Sequence, residues 1–326
     1  MSTPLELASS PTARAALTAA VLLVAGLAVG RVGGRLVHLF GPAGPPEPAG
    51  PPGRAAPQQD AATGGGGDPV GAPDAPSASA ATATSAPDPG APPDGPPPPR
   101  CPHCLIRVPF ARGLPVPAAR AFRRGGPCPH CAVPVRSQPA VVATTALLFA
   151  LVGAVAPAHL AEWTPFGLLA VLWFVALGVP LSAVDLRVMR LPDALVAPAY
   201  PVAALLLAAS VLLPPSGPDP ERGSGALVSM VLVTVLYWLM WRIRPGGLGF
   251  GDVKLSGLTG LYAGWAAGPV GALAAAFWAF AAFSLLGLAL LLLRRITRAD
   301  PLPLGPFMLA ATLATVLAGH PLLPQA

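Results

Sequence analysis

Seven apolar runs crowd the chain from residue 140 onward, at roughly 140–157, 164–184, 193–213, 225–242, 255–268, 270–293 and 303–320, and an eighth lies near the start at 15–39. A helix needs about 20 apolar residues to cross a bilayer core, and hydrocarbon admits only backbone that satisfies its own hydrogen bonds. The chain therefore reads as an all-α polytopic membrane protein with about eight transmembrane helices. Its composition, 53% hydrophobic and 10% charged with a mean hydropathy of +0.63, excludes an ordinary soluble domain. The run at 255–268 is short for a bilayer and needs tilt, or extension by the glycine-rich stretch before it.

Charge sets the orientation. With the N-terminus outside, the segment from Arg31 to Arg136 is cytoplasmic, as are the connections carrying Arg187 and Arg190, then Arg242, Arg244 and Lys254, then Arg294, Arg295 and Arg298. Only Arg14 and Arg222 fall outside, which is a positive-inside pattern. The net charge of +6 is thus a matter of topology and does not require nucleic acid as a partner; the lipid bilayer is the partner it implies. Reading 15–39 as a cleaved signal peptide would export the cysteine segment and spoil this pattern. The Ala, Pro, Gly and Arg bias suggests a GC-rich bacterial genome.

Four segments follow: 1–40, the first transmembrane helix; 41–99, rich in Pro, Ala and Gly with almost nothing to bury, a disordered linker; 100–139, a tetra-cysteine module; and 140–326, a seven-helix membrane domain. The module holds all four cysteines in two "CPHC" knuckles, Cys101 with Cys104 and Cys128 with Cys131. Two such knuckles suit tetrahedral Zn²⁺ with four thiolates. Four thiolates leave no open coordination position, so the expected role is structural, with His103 and His130 as knuckle-loop residues. A redox reading is the competitor, but two copies, no βαβ pattern and a cytoplasmic placement argue against it.

After residue 140 only seven acids remain. Glu162, Asp219 and Glu221 fall in outside loops and Asp300 in the last inside loop. Asp185, Asp193 and Asp252 lie at the cytoplasmic ends of spans, where an ionisable group is costly and marks a candidate site. Each has a plainer explanation: Asp185 an ion pair with Arg187 or Arg190, Asp252 one with Lys254, and Asp193 a carboxylate complementing a helix N-terminus. Taken together, Asp185 and Asp252 can reach one depth. Two carboxylates held close in a low-dielectric site share a proton, so one takes a proton from water while the other polarises a peptide carbonyl. In "GLGFGDVKLSGL", Gly249 and Gly251 are expected to let an extended peptide backbone approach Asp252. Lys254, the one lysine among the basic residues, is expected to tune or anchor this loop.

Five ordered motifs, "CPHC…CPHC", "ALLFALVGA", "DLRVMRLPDALVAP", "GFGDVKLSGLTGLYAG" and "PLPLGPFMLA", carry a resemblance over about residues 100–310. The chain resembles the prepilin peptidases, or type IV leader peptidases, of the GxGD class of membrane aspartic proteases. The resemblance implies cleavage of prepilin or pseudopilin leaders at the cytoplasmic face of the bacterial inner membrane, with Asp185 and Asp252 at the family's catalytic positions. It also implies that N-methylation of the new terminus with S-adenosylmethionine accompanies cleavage in many members. The chain departs from the pattern at the linker 41–99 and at "RSQPAVVATT", where an acid is expected after the second knuckle; these bear on methylation and leave the peptidase motifs intact. Two rivals of other classes are a proton-coupled transporter, which would carry polar groups near the midplane of several spans, and a membrane-anchored zinc-ribbon adaptor, which would not need the aspartates.

Overall fold

Proline opens five of the seven helices, at or next to the first helical residue, where its missing N–H costs nothing and its fixed φ is already helical. A computed structural model describes residues 10–41, 98–111, 114–115, 117–118, 125–159, 163–214, 216–244, 247–297 and 300–323. The expected linker at 41–99 lies almost wholly outside these residues, as do Glu162 and Arg298. The helices are α1 (Pro11–Leu39), α2 (Pro139–Val155), α3 (Pro165–Val188), α4 (Asp193–Leu212), α5 (Pro220–Ile243), α6 (Phe250–Leu292) and α7 (Gly305–Ala318), with a 3₁₀ turn at Ala156–His159 after α2. Among the described residues there are no named strands, only three isolated bridges in the cysteine module.

Six of these helices are long and apolar enough to cross a membrane, and α7 is a shorter apolar helix. At 43 residues, a straight α6 would run about 65 Å, twice the bilayer core. It is broken instead. Ala267 leaves the helical region and Gly268 takes φ +65°, just before Pro269, which has no N–H and forces the preceding residue out of helix. Two limbs result, which gives eight apolar rods among the described residues, in line with the hydropathy. The first limb begins at Phe250, upstream of the expected 255, and so draws the glycine-rich stretch into its first turn.

Glycines on α1 recur every fourth residue at 26, 30 and 34, where small residues let helix backbones approach. A Cβ on Gly26 would stand 2.8 Å from the Cα of Ala146, and one on Gly30 2.9 Å from the Cα of Val142, so α1 and α2 pack backbone to backbone. A similar stripe on α6, Gly257 and Gly260, packs against α5. Large apolar side chains such as Leu205, Leu285 and Leu292 remain about 70% exposed, an outer surface suited to lipid.

Candidate active site

Asp185 sits in the last turn of α3. Met189 ends that helix in the left-handed region (φ 51°) and returns its N–H to the Asp185 carbonyl at 2.8 Å. The side chain is buried, 4% exposed. Its Oδ2 accepts the N–H of Gly305, the first residue of α7, at 3.1 Å. That N–H has no partner within its own helix and lies at the positive end of the helix dipole, so α7 is aimed at the carboxylate. A Cβ on Gly305 would stand 2.7 Å from the same oxygen. Sequence reasoning assigned Gly305 no role; its signal was the Gly-Pro pair opening an apolar run.

Asp252 is the third helical residue of α6, after the N-cap Gly249. Its N–H donates to the Gly249 carbonyl at 3.0 Å. It lies within Coulombic reach of Asp185 and of the Tyr237 phenol on α5. Two acids distant in sequence, one in the last turn of α3 and one in the first turn of α6, thus come within electrostatic range of each other.

The neighbours differ from expectation. Lys254 does not turn back to Asp252; its Nζ pairs with Asp193 Oδ1 at 2.7 Å, because side chains two apart on a helix point to different faces. Asp193 is the first residue of α4 and an acid in its first turn, as expected. The ion-pair reading of Asp185 gives way to the Gly305 N–H. Of the two glycines, Gly249 faces Asp252, where a Cβ would be 3.3 Å from Oδ2, whereas the bare face of Gly251 is occupied by Leu191, whose Cβ would be 3.1 Å away. Gly251 therefore admits the α3–α4 connection, not an incoming backbone. Of the other acids, Asp219 caps α5 through the Arg222 N–H at 3.0 Å, and Asp300 accepts from Thr297 N–H and Oγ1, which lower its pKa. A largely apolar cavity of about 400 Å³ lies between α2, α3 and α7, its lining including Gln138, Phe174, Ser182, Arg187 and Leu309.

The knuckles form two matching turns. Cys101 N–H bonds the Ile106 carbonyl and Cys128 N–H the Val133 carbonyl, both at 3.0 Å, and Leu105 and Ala132 take positive φ at equivalent places. All four sulfurs lie within 4.8 Å of one another, with Cys101–Cys131 and Cys104–Cys128 at 3.9 Å. These are too far apart for disulfides and close to the roughly 3.8 Å edge of a tetrahedron with 2.3 Å Zn–S bonds. Burial pushes the Cys101 thiol up to about 12. Burial also acts against Cys128, but the His130 and Cys131 N–H groups and the neighbouring thiols bring it down to about 7. The set can hold one metal ion. His103 and His130 are exposed and stand outside it. The module is joined to the helix bundle through Arg100 N–H to the Leu39 carbonyl at 2.9 Å and the Phe40–Phe110 ring contact.

Comparison with known proteins agrees with this geometry. The Type IV leader peptidase family model matches residues 168–292, which contain both aspartates. A protein of Aeromonas hydrophila named prepilin leader peptidase/N-methyltransferase is 31% identical over 67% of this chain and 71% of its own length. Proteins with the same name from Burkholderia pseudomallei (strain 1026b) and Pseudomonas putida are 30% and 28% identical, over 68% of this chain and 67% and 72% of theirs. No solved structure matches. With the family model covering the segment that holds both aspartates, and relatives about 30% identical covered over two thirds of their length, the chain belongs to the type IV leader peptidase family.

Proposed function

We propose that this protein is a membrane aspartic endopeptidase that removes the leader from a prepilin or pseudopilin, with Asp185 and Asp252 as its catalytic pair. The observation that carries the reading is the placing of the two carboxylates, at the last turn of α3 and the first turn of α6, within electrostatic range of each other. The pair holds one proton. The ionised carboxylate takes a proton from a water whose oxygen attacks the peptide carbonyl carbon, and the protonated partner gives its proton to the carbonyl oxygen. As the C–N bond breaks, the departing nitrogen takes the proton abstracted from water and the diol oxygen returns the other to the pair.

The cytoplasmic face of the bacterial inner membrane is the proposed side. Arg187, Arg190, Arg242, Arg244, Lys254, Arg294 and Arg295 flank helix ends on the side of the aspartates, and such residues stay in the cytoplasm. The metal proposed for Cys101, Cys104, Cys128 and Cys131 is Zn²⁺, which would tie the two knuckles together and supply no open position for chemistry. A second reading adds N-methylation of the mature terminus with S-adenosylmethionine, supported by the N-methyltransferase name of the relatives.

Co-expression with candidate pilins from the same genome, followed by N-terminal sequencing and mass measurement of the mature chain, tests both readings. Cleavage is expected, and one added methyl group in mass would support the second activity. Asp185→Asn and Asp252→Asn should each reduce cleavage by several orders of magnitude while insertion stays normal, because Asn keeps the shape but cannot exchange the proton. Near-normal cleavage by either variant would remove this mechanism.

A further inference from the structure

The first turn of α6 is fastened to the α3–α4 region on both sides of Asp252 in sequence. Upstream, Gly251 is packed by Leu191 of the connection. Downstream, Lys254 Nζ pairs with Asp193 Oδ1 at 2.7 Å, its ammonium lies 5.2 Å from the centre of the Phe250 ring, and its carbonyl accepts the hydroxyl of Tyr200 from α4. Asp185 lies just before this same connection in the chain. The contacts therefore join the two segments that carry the carboxylates.

The ion pair is half exposed, 38% for Lys254 and 50% for Asp193, and a pair that exposed contributes little to stability. Alignment is a different matter: a misplacement of about 1 Å in a catalytic group can cost about a hundredfold in rate. We infer that Lys254 and Asp193 form a positioning latch that holds Asp252 in register with Asp185. This inference rests on the peptidase reading above. Neither residue is a catalytic group; both act through the placement of the α6 first turn. Because the latch is electrostatic and partly in water, salt weakens it.

The test compares Lys254→Met, Asp193→Asn and the double variant with the wild type. Each single change is expected to lower kcat about tenfold to a hundredfold, with KM and melting temperature unchanged. The double variant should be no slower than the worse single one, since each residue works only through the other. The wild type should slow with rising ionic strength more than the variants do. Hydrogen exchange of the peptide 247–258 should quicken in both single variants, which reads the latch without any substrate. A raised KM for Lys254→Met alone would overturn the latch in favour of direct substrate contact. Multiplying losses in the double variant, or unchanged exchange over 247–258, would overturn it outright. Failure of the peptidase reading is distinct: the wild type would then cut no pilin, or Asp185→Asn would cut normally, whatever the exchange shows.

Discussion

Gly305 is where the buried Asp185 carboxylate finds a donor, and one methyl group is enough to disturb it. Gly305→Ala would set a Cβ 2.7 Å from Oδ2, closer than packed atoms tolerate, so the carboxylate or the start of α7 must move. Overpacking of this kind costs about 1–3 kcal/mol of stability. The larger effect is expected on catalysis: kcat for leader cleavage should fall at least about tenfold while the protein still inserts and purifies as the wild type does. Single-turnover cleavage beside a thermal melt separates the two effects. The Gly-Pro pair marks position 305 as a helix start but not its use, because the N–H it offers is claimed by a residue 120 positions away. Asp185 and Asp252 stand out as candidates for the opposite reason. An acid at the end of an apolar span is conspicuous wherever the chain later takes it.

At the scale of elements, the cysteine module is two copies of one short turn, and its ligand set is written in the spacing of four residues. Purified protein is expected to hold about one Zn²⁺ per chain. Cys101→Ser with Cys104→Ser should remove that metal and open the segment 100–136 to proteolysis, as measured by elemental analysis and limited digestion. Full zinc retention in that variant would sink the four-thiolate site. The helices were legible too, because runs of apolar residues long enough to span a bilayer mark them, and the break at Pro269 falls between two of those runs. The glycine stripe of α1 was visible as composition only. Its purpose, bringing α1 against α2, needed the partner helix, since close approach is a property of two surfaces.

For the whole molecule, the apolar runs and the basic connections bound the architecture before any packing is considered. A segment with so little to bury as 41–99 is expected to act as a tether, and a tether needs only reach. Deleting about forty of its residues should leave the rate of leader cleavage within about twofold of wild type; a loss of activity in a well-inserted deletion would point to substrate docking there. By itself the sequence determined that the chain is built of apolar helices, where four cysteines gather and which acids stand at span ends. Hydropathy, proline and ligand spacing act locally, so a linear reading captures them. Only the tertiary structure decided which groups face one another: Lys254 goes to Asp193 and not to Asp252, Gly251 makes room for Leu191, and α7 turns its first N–H to Asp185. Those pairings depend on how α3, α4, α6 and α7 pack across the bundle, and nothing within one helix specifies which other helix will meet it.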